Sequence, residues 1–290
     1  MPVTVVTDST HYAPRALLDE FAVRQVSLYV GWGDDRVREL ELGGFDDFYT
    51  RLRTDPELPT TSQPSIGDYL EVWEPLLEQG HDIASVHLAG GISGTTGAAR
   101  QAKELLDERG HLGRVEVIDG ETGCGGLGFI ALAGGFKARE GADLDAVVQH
   151  ILDARRSVKI WFCIDTLEYL QRGGRVGKAQ AWIGGALKIK PILSLEYEIT
   201  PVERVRTAGR AFDRMVHYLR ERHRDGATLW VIQHIQAPDV AQRLREAGLE
   251  IYGYEPLFLS EVGPVIGTYT GPGMIGVGGA DGRYVGQTAG

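Results

Sequence analysis

Apolar and polar positions follow two periods along this chain, and the two alternate. Val3 to Val6 form a short apolar run ending in the turn cluster Asp8-Ser9-Thr10; past Pro14 an apolar-periodic segment reaches about Phe21. The chain therefore opens as strand, polar loop and helix. Val26, Leu28 and Val30 alternate as in a strand, and Phe45, Phe48, Tyr49 and Leu52 recur at helical spacing until Pro56 and Pro59 break the pattern. A loop from Pro59 to Ser65 leads to an amphipathic helix marked by Tyr69, Leu70, Trp73, Leu76 and Leu77, with Ser65 and Asp68 placed for a capping box. Ile83 to Leu88 reads as a buried strand, Ala89 to Gly94 as a glycine-rich loop, and Thr95 to about Arg109 as a helix. Another strand, Val115 to Ile118, precedes helices near Phe129–Arg139 and Leu144–Arg155. Strands alternating with helices predict a mainly parallel sheet flanked by helices, here assigned to a first domain, residues 1–157.

From Lys159 the order changes. An apolar strand to Ile164, a short helix ending at Gly173-Gly174 and a helical piece near Ala179–Leu187 precede two successive strands, Ile189–Leu195 and Ile199–Val205. Strand following strand predicts antiparallel pairing. A helix near Ala211–Arg222, a strand at Leu229–Ile232, a helix near Val240–Ala247 and a strand at Glu250–Pro256 complete a smaller α/β module with a mixed sheet, residues 158–279. The small, polar stretch 280–290 reads as a mobile tail. The fold class is α/β in two domains.

Composition excludes more than it assigns. Cys124 and Cys163 make neither a disulfide framework nor a Cys-x-x-Cys pair, no His-x-x-x-His pattern offers a metal site, and no apolar run is long enough to cross a membrane. The start carries no signal peptide pattern, so a cytoplasmic location is expected. A net charge of -10 opposes nucleic-acid binding. Between Arg172 and Arg214, however, nine basic residues stand against four acidic ones, a local excess suited to an anionic ligand, an acidic partner or simply a solvated face.

The 39 glycines imitate two cofactor motifs. Gly123-Cys124-Gly125-Gly126-Leu127-Gly128 has dinucleotide spacing after a strand, but Asp143 and Asp145 begin a helix where that motif needs an acidic residue ending a second strand. It reads as a turn that packs a helix close to a sheet. Gly271-Pro272-Gly273 precedes no helix, and Gly177-Lys178-Ala179 lacks the P-loop hydroxyl, so no cofactor is expected. What remains is a pair of hydroxyl-rich loops, Thr61-Ser62 and Ser93-Gly94-Thr95, each leading into a helix N-terminus. Free N–H groups, the helix dipole and hydroxyl donors suit a carboxylate or phosphate; the same hydroxyls also serve as plain helix caps. Neither loop supplies a general base, so such a site would hold rather than transform its ligand.

Asp8-Ser9-Thr10, Thr61-Ser62-Gln63-Pro64-Ser65, Ser93-Gly94-Thr95, Gly173-Gly174-Arg175, Ile189-Lys190-Pro191-Ile192 and Gly271-Pro272-Gly273 occur in an order and spacing that resemble the DegV family of bacterial fatty-acid-binding proteins, over nearly the whole chain to about Gly279. The resemblance implies a two-domain α/β protein that buries a long-chain fatty acid. It places the carboxylate on Thr61, Ser62 and Ser93, with the backbone around Gly94 and Thr95 in support. It also implies presentation of the bound acid to a separate fatty acid kinase that feeds phospholipid synthesis, with Arg175, Lys190 and Arg206 at basic positions suited to kinase docking or an acyl phosphate. Two departures stand out. Tyr269 occupies the position of a histidine common before the late Gly-Pro-Gly, and Ala89 and Gly90 replace serines usual before the Ser-Gly-Thr motif. A phenol still donates to a carboxylate but offers no titratable base near neutral pH. The expected function is thus a non-catalytic fatty acid carrier. The alternatives are an enzyme for a small phosphorylated or carboxylated metabolite at the same anion site, with Lys190 or Arg175 as electrophile, and a scaffold whose basic stretch binds a protein.

Overall fold

The computed structural model describes residues 1–110, 113–183 and 189–287. The first half is built on a four-stranded parallel sheet, ordered Arg24–Val26, Val3–Asp8, Asp82–His87, Val115–Asp119. Its two central strands are buried at every position, because helices cover both faces. Val6 and Ile83 pack under the Ile66–Glu78 and Thr95–Glu108 helices, whereas Val5, Ala84 and Val86 face the Cys124–Arg139 and Leu144–Ser157 helices. The alternation of strand residues between two helix layers is what turns a continuous apolar run into a central strand. The capping box forms as expected: the Ser65 hydroxyl accepts from Asp68 N, and the Asp68 carboxylate accepts from Ser65 N at 2.7 Å.

The second half carries a six-stranded mixed sheet, ordered Glu198–Val205, Lys190–Glu196, Lys159–Cys163, Ile275–Ala280, Leu229–His234, Phe258–Glu261. The expected antiparallel pair is present, with a register shift between Pro201 and Glu203. Between the two sheets lies the Cys124–Arg139 helix, buried continuously from Gly125 to Gly135. Its glycine-rich start is the dinucleotide look-alike, and its role is close packing: a Cβ on Gly125 would lie 2.8 Å from Val231 Cγ2, and one on Gly126 2.6 Å from Ile160 Cδ1.

Several elements differ from the sequence expectation. Thr60–Ser62 is a strand rather than loop; it joins Tyr29–Trp32 and Asp35–Arg38 in a three-stranded antiparallel sheet. Residues 250–252, rich in strand formers, continue the Pro238–Tyr252 helix because Tyr252 stacks on Trp230 at 5.2 Å; Gly253, at φ +79°, ends the helix. The last parallel strand is therefore Phe258–Glu261. The helical piece expected near Ala179–Leu187 is a 3-10 turn, Gly177–Trp182, and its residues 184–187 lie outside the described residues. The stretch expected to be a mobile tail is packed as far as Val285, and Gln287 N still donates to the Gly282 carbonyl at 2.9 Å. Ala280 ends a central strand opposite Leu229, Val285 is buried in the first core, and the Tyr284 carbonyl lies 2.9 Å from His150 Nε2. Residues 288–290 lie outside the described residues.

Candidate functional site

An apolar cavity of about 300 Å³ opens where the sheets and the Cys124–Arg139 helix meet. Its walls come from both halves of the chain: Leu28, Leu88 and Ile92 on one side, Phe162, Leu195 and Ile199 on the other. At one end the lining turns polar. Thr61, Ser62, Gln63, Ser93, Gly94, Arg175 and Tyr269 converge there, and because Gln63, Gly94 and Arg175 are exposed this end is the mouth.

Folding joins the two hydroxyl-bearing segments, which are about thirty residues apart in sequence. Thr61 and Ser62 sit on the short edge strand, paired with Val30 and Tyr29. Ser93 ends the loop that leads into the Thr95–Glu108 helix, of which Gly94 is the N-cap. The segments touch: a Cβ on Gly94 would stand 1.9 Å from Gln63 Oε1, so only glycine lets the Gln63 side chain lie across the loop. Ser93 Oγ and Thr95 Oγ1 are 2.8 Å apart, and Thr95 N donates to Ser93 Oγ at 3.3 Å. Thr95 is fully buried and does not line the cavity, so it orients Ser93 rather than facing a ligand. The other glycines of this loop admit protein groups. Gly90 N donates to the Asp119 carboxylate at 3.1 and 3.2 Å, and Gly91 makes room for Tyr197.

Tyr269 is delivered by the Pro264–Thr270 helix, an element with no periodic signal in the sequence. The start of that helix is held by Glu39, whose carboxyl accepts from Val265 N at 2.8 Å, and by Tyr12, whose phenol oxygen accepts from Ile266 N at 3.3 Å. Its far end places Tyr269 Oη 2.6 Å from Thr61 Oγ1. Two of the sequence motifs find their physical reason here. A Cβ on Gly173 would lie 2.3 Å from the Tyr269 ring, and one on Gly271 2.4 Å from the Tyr169 ring, so both glycines exist to let a tyrosine lie against backbone. Arg175 then covers the outer face of Tyr269, its guanidinium 4.9 Å from the ring centre, and donates to the Gly173 carbonyl at 2.8 Å.

Of the three basic residues singled out, the structure brings only Arg175 to the mouth. Lys190 pairs with Asp165 outside the cavity lining, and Arg206 is exposed beside the Thr207 N-cap, also outside it. Neither serves this cavity as an electrophile or headgroup contact. Much of the basic excess is paired locally, as in Arg172–Glu168, Lys178–Glu198 and Arg214–Glu203. Among the described lining residues Arg175 is the one charged side chain, and none is a carboxylate or an imidazole. The Cys124 thiol also lines the cavity; burial pushes it up to about 12, which keeps it protonated and unreactive near neutral pH.

Sequence reasoning missed Gln233 and most of the apolar lining. Gln233 Oε1 accepts from Gly125 N at 2.5 Å, and its Nε2 donates to the His11 carbonyl and Ser260 Oγ. A glutamine interrupting the continuous apolar run of Leu229–His234 is the available signal. Behind the mouth, Asp8 is fully buried and accepts from Leu88 N at 2.8 Å and from Thr10 N and Oγ1 at 3.0 and 2.6 Å. The Asp8-Ser9-Thr10 motif thus anchors the strand end from which the Ser93 loop departs.

Fold and site define a class: an α/β protein of two large sheets and one small one, whose apolar cavity opens under a hydroxyl-lined mouth. The chain belongs to the DegV family; the family model, described as an uncharacterised protein family, matches residues 2–280. Protein DegV of Bacillus subtilis is 34% identical over 281 residues, covering 96% of this chain and 98% of that one. A DegV domain-containing protein of Streptomyces coelicolor is 37% identical over 285 residues, covering 95% and 97%. Among solved structures, a DegV family protein from Thermus thermophilus described as fatty acid binding superposes with a TM-score of 0.85 at 31% identity, covering 97% of this chain and 100% of that one. The Bacillus subtilis DegV structure, described as a fatty acid binding protein, gives 0.85 at 33% identity, covering 97% and 99%.

Proposed function

We propose that this protein binds a long-chain fatty acid, with the acyl chain in the cavity and the carboxylate among Thr61, Ser62 and Ser93 under Arg175. The observation that carries this reading is the division of one cavity into an apolar body and a mouth of hydroxyls from three separate elements beside a single cation. Each buried methylene contributes about 0.8 kcal/mol, and a carboxylate entering such a site needs donors to replace water. The solved relatives described as fatty acid binding support the same ligand class. Tyr269 and Thr61 already share a hydrogen bond, so one of the two turns its proton toward the ligand when the carboxylate arrives. A lining without carboxylate or imidazole favours holding over turnover.

Native mass spectrometry of the purified protein, with lipid extraction, tests this directly. A bound acyl mass or uptake of added oleate is expected; the absence of both would end the proposal. Hydrogen bonds to a charged group contribute about 1.5–3 kcal/mol. Ser93→Ala is therefore expected to weaken oleate binding roughly 10- to 100-fold, and a change under about twofold would remove Ser93 from the headgroup site.

The finer part of the reading is that the mouth presents the carboxylate to a fatty acid kinase. Arg175, exposed beside the hydroxyls, supports this reading as the cation that would meet the partner or the charge of an acyl phosphate. Phosphate transfer from ATP to the bound acid in the presence of such a kinase is the measurement. With oleate at saturation, so that a weakened headgroup contact does not empty the site, Arg175→Glu is expected to slow transfer per bound acid, and an undiminished rate would dismiss this role.

A further inference from the structure

Strand register divides the cavity face of the mixed sheet into rows. Phe162, Gly276 and Gln233 are direct cross-strand neighbours and all line the cavity. Two residues further along, about 7 Å away, Ile160, Gly278 and Val231 form the next row. The residues between, Trp161, Val277 and Ile232, join the core on the opposite face, although Val277 also borders the cavity.

The second row closes the cavity. Ile160, Val231 and Gly125 line both the cavity and a separate void of about 10 Å³, whose other walls include Gly126, Phe129 and Ala280. Gly278, between Ile160 and Val231, adds no side chain; a Cβ there would meet Val231 Cγ2 at 3.1 Å and Ile160 Cγ1 at 3.4 Å. From above, the glycines that start the Cys124–Arg139 helix press onto the same two side chains. Gly276, one row nearer the mouth, is different. A Cβ built on it meets nothing closer than 3.7 Å, so its lack of a side chain serves the cavity and not the packing.

We propose that Ile160 and Val231 are the stop against which the end of the acyl chain rests, and that with the bare floor at Gly276 they set the chain length the protein selects. This inference rests on the fatty acid reading above. Truncating either stop residue would join the cavity to the void beyond it, whereas a methyl on Gly276 would occupy the path of the chain.

The test is competition among an equimolar series of saturated acids from laurate to arachidate, read by native mass spectrometry for the parent, Ile160→Ala, Val231→Ala and Gly276→Ala. The first two are expected to favour longer acids than the parent, each admitted methylene adding about fourfold in affinity. Gly276→Ala is expected to weaken the parent's preferred acid about fourfold or more and to favour shorter ones. Ile160→Val, a smaller truncation, gives the same direction if the alanine variant does not fold, and Gly276→Ala fits the fold as it stands. Variants that take up acids with the parent's length profile overturn the stop while leaving fatty acid binding intact. A parent that takes up no acid overturns both.

Discussion

Above about pH 7 the Glu39→Gln protein is expected to melt about 5 °C higher than the parent, and near pH 4 the two are expected to melt together. Glu39 is buried, and among the described residues no Lys, Arg or His lies within ion-pair distance of it. Its partners are all neutral: Ser9 Oγ at 2.6 Å, Tyr12 Oη at 3.0 Å and Val265 N at 2.8 Å. Burial is the main cause that raises its carboxyl from the ordinary 4.5 to about 7, and these hydrogen bonds offset only part of it. The folded protein therefore keeps a proton on Glu39 that the unfolded chain releases, and between about pH 4.5 and 7 it binds more protons than the unfolded state. Stability falls as pH rises through that window and levels off above it, by roughly 3 kcal/mol in all. Glutamine is the isostere of the protonated acid. It accepts from Val265 N and Tyr12 and donates to Ser9 Oγ, with no charge to desolvate. Thermal melts of both proteins across this range decide the matter: a constant offset at all pH values would mean that Glu39 does not titrate with folding. Because glutamine still accepts from Val265 N and so keeps hold of the helix that delivers Tyr269, the same substitution is also expected to leave oleate binding intact.

The elements whose periods are long and regular were legible in the sequence; the site was legible only where a motif has a local reason. The Thr95–Glu108 and Leu144–Ser157 helices and the Asp82–His87 strand follow their apolar spacing because each buries one face, or both, against a neighbour. The Pro264–Thr270 helix is seven residues long, begins with proline and contains Gly267, so no stripe could announce it. Its stability comes from Glu39 and Tyr12, more than two hundred residues earlier. Thr60–Ser62 was misread for the same reason: a three-residue edge strand is held by pairing with Tyr29–Trp32, not by its own propensity. Thr61, Ser62 and Ser93 were found because hydroxyls before a helix have a local meaning. Gln63 lying across Gly94, and the Ile160–Gly278–Val231 row, are relations between elements that no single segment encodes.

Asp8→Ala is expected to cost about 3–5 kcal/mol at neutral pH, the largest loss among the substitutions considered. Burial alone would raise the Asp8 carboxyl, but hydrogen bonding and charge from His87, with the bonds from Thr10 and Leu88, outweigh it and hold Asp8 below the usual range. His87 Nδ1 lies 3.3 Å away, and Nε2 of the same ring is 2.7 Å from Ser85 Oγ. Alanine strands Leu88 N, Thr10 N and the imidazole in a site with no access to water, whereas asparagine keeps one acceptor and is expected to cost about 1–3 kcal/mol. The sign with pH is opposite to that of Glu39. A depressed acid stabilises above its unfolded value, near 4, and that contribution disappears as pH falls through the folded value. Urea unfolding at about pH 7 and again near pH 3 should therefore find the gap between parent and Asp8→Ala narrowing on acidification. A gap that stays constant would mean that lost packing, not lost charge, accounts for the effect. Since Leu88 N leads directly into the Ala89–Gly94 loop, oleate affinity in Asp8→Ala is expected to fall even where the protein remains folded, as Ser93 loses its anchor. The joint contribution of the two buried acids to stability is therefore largest at about pH 4, where Asp8 is already ionised in the fold and the unfolded chain has not yet released the proton that Glu39 keeps.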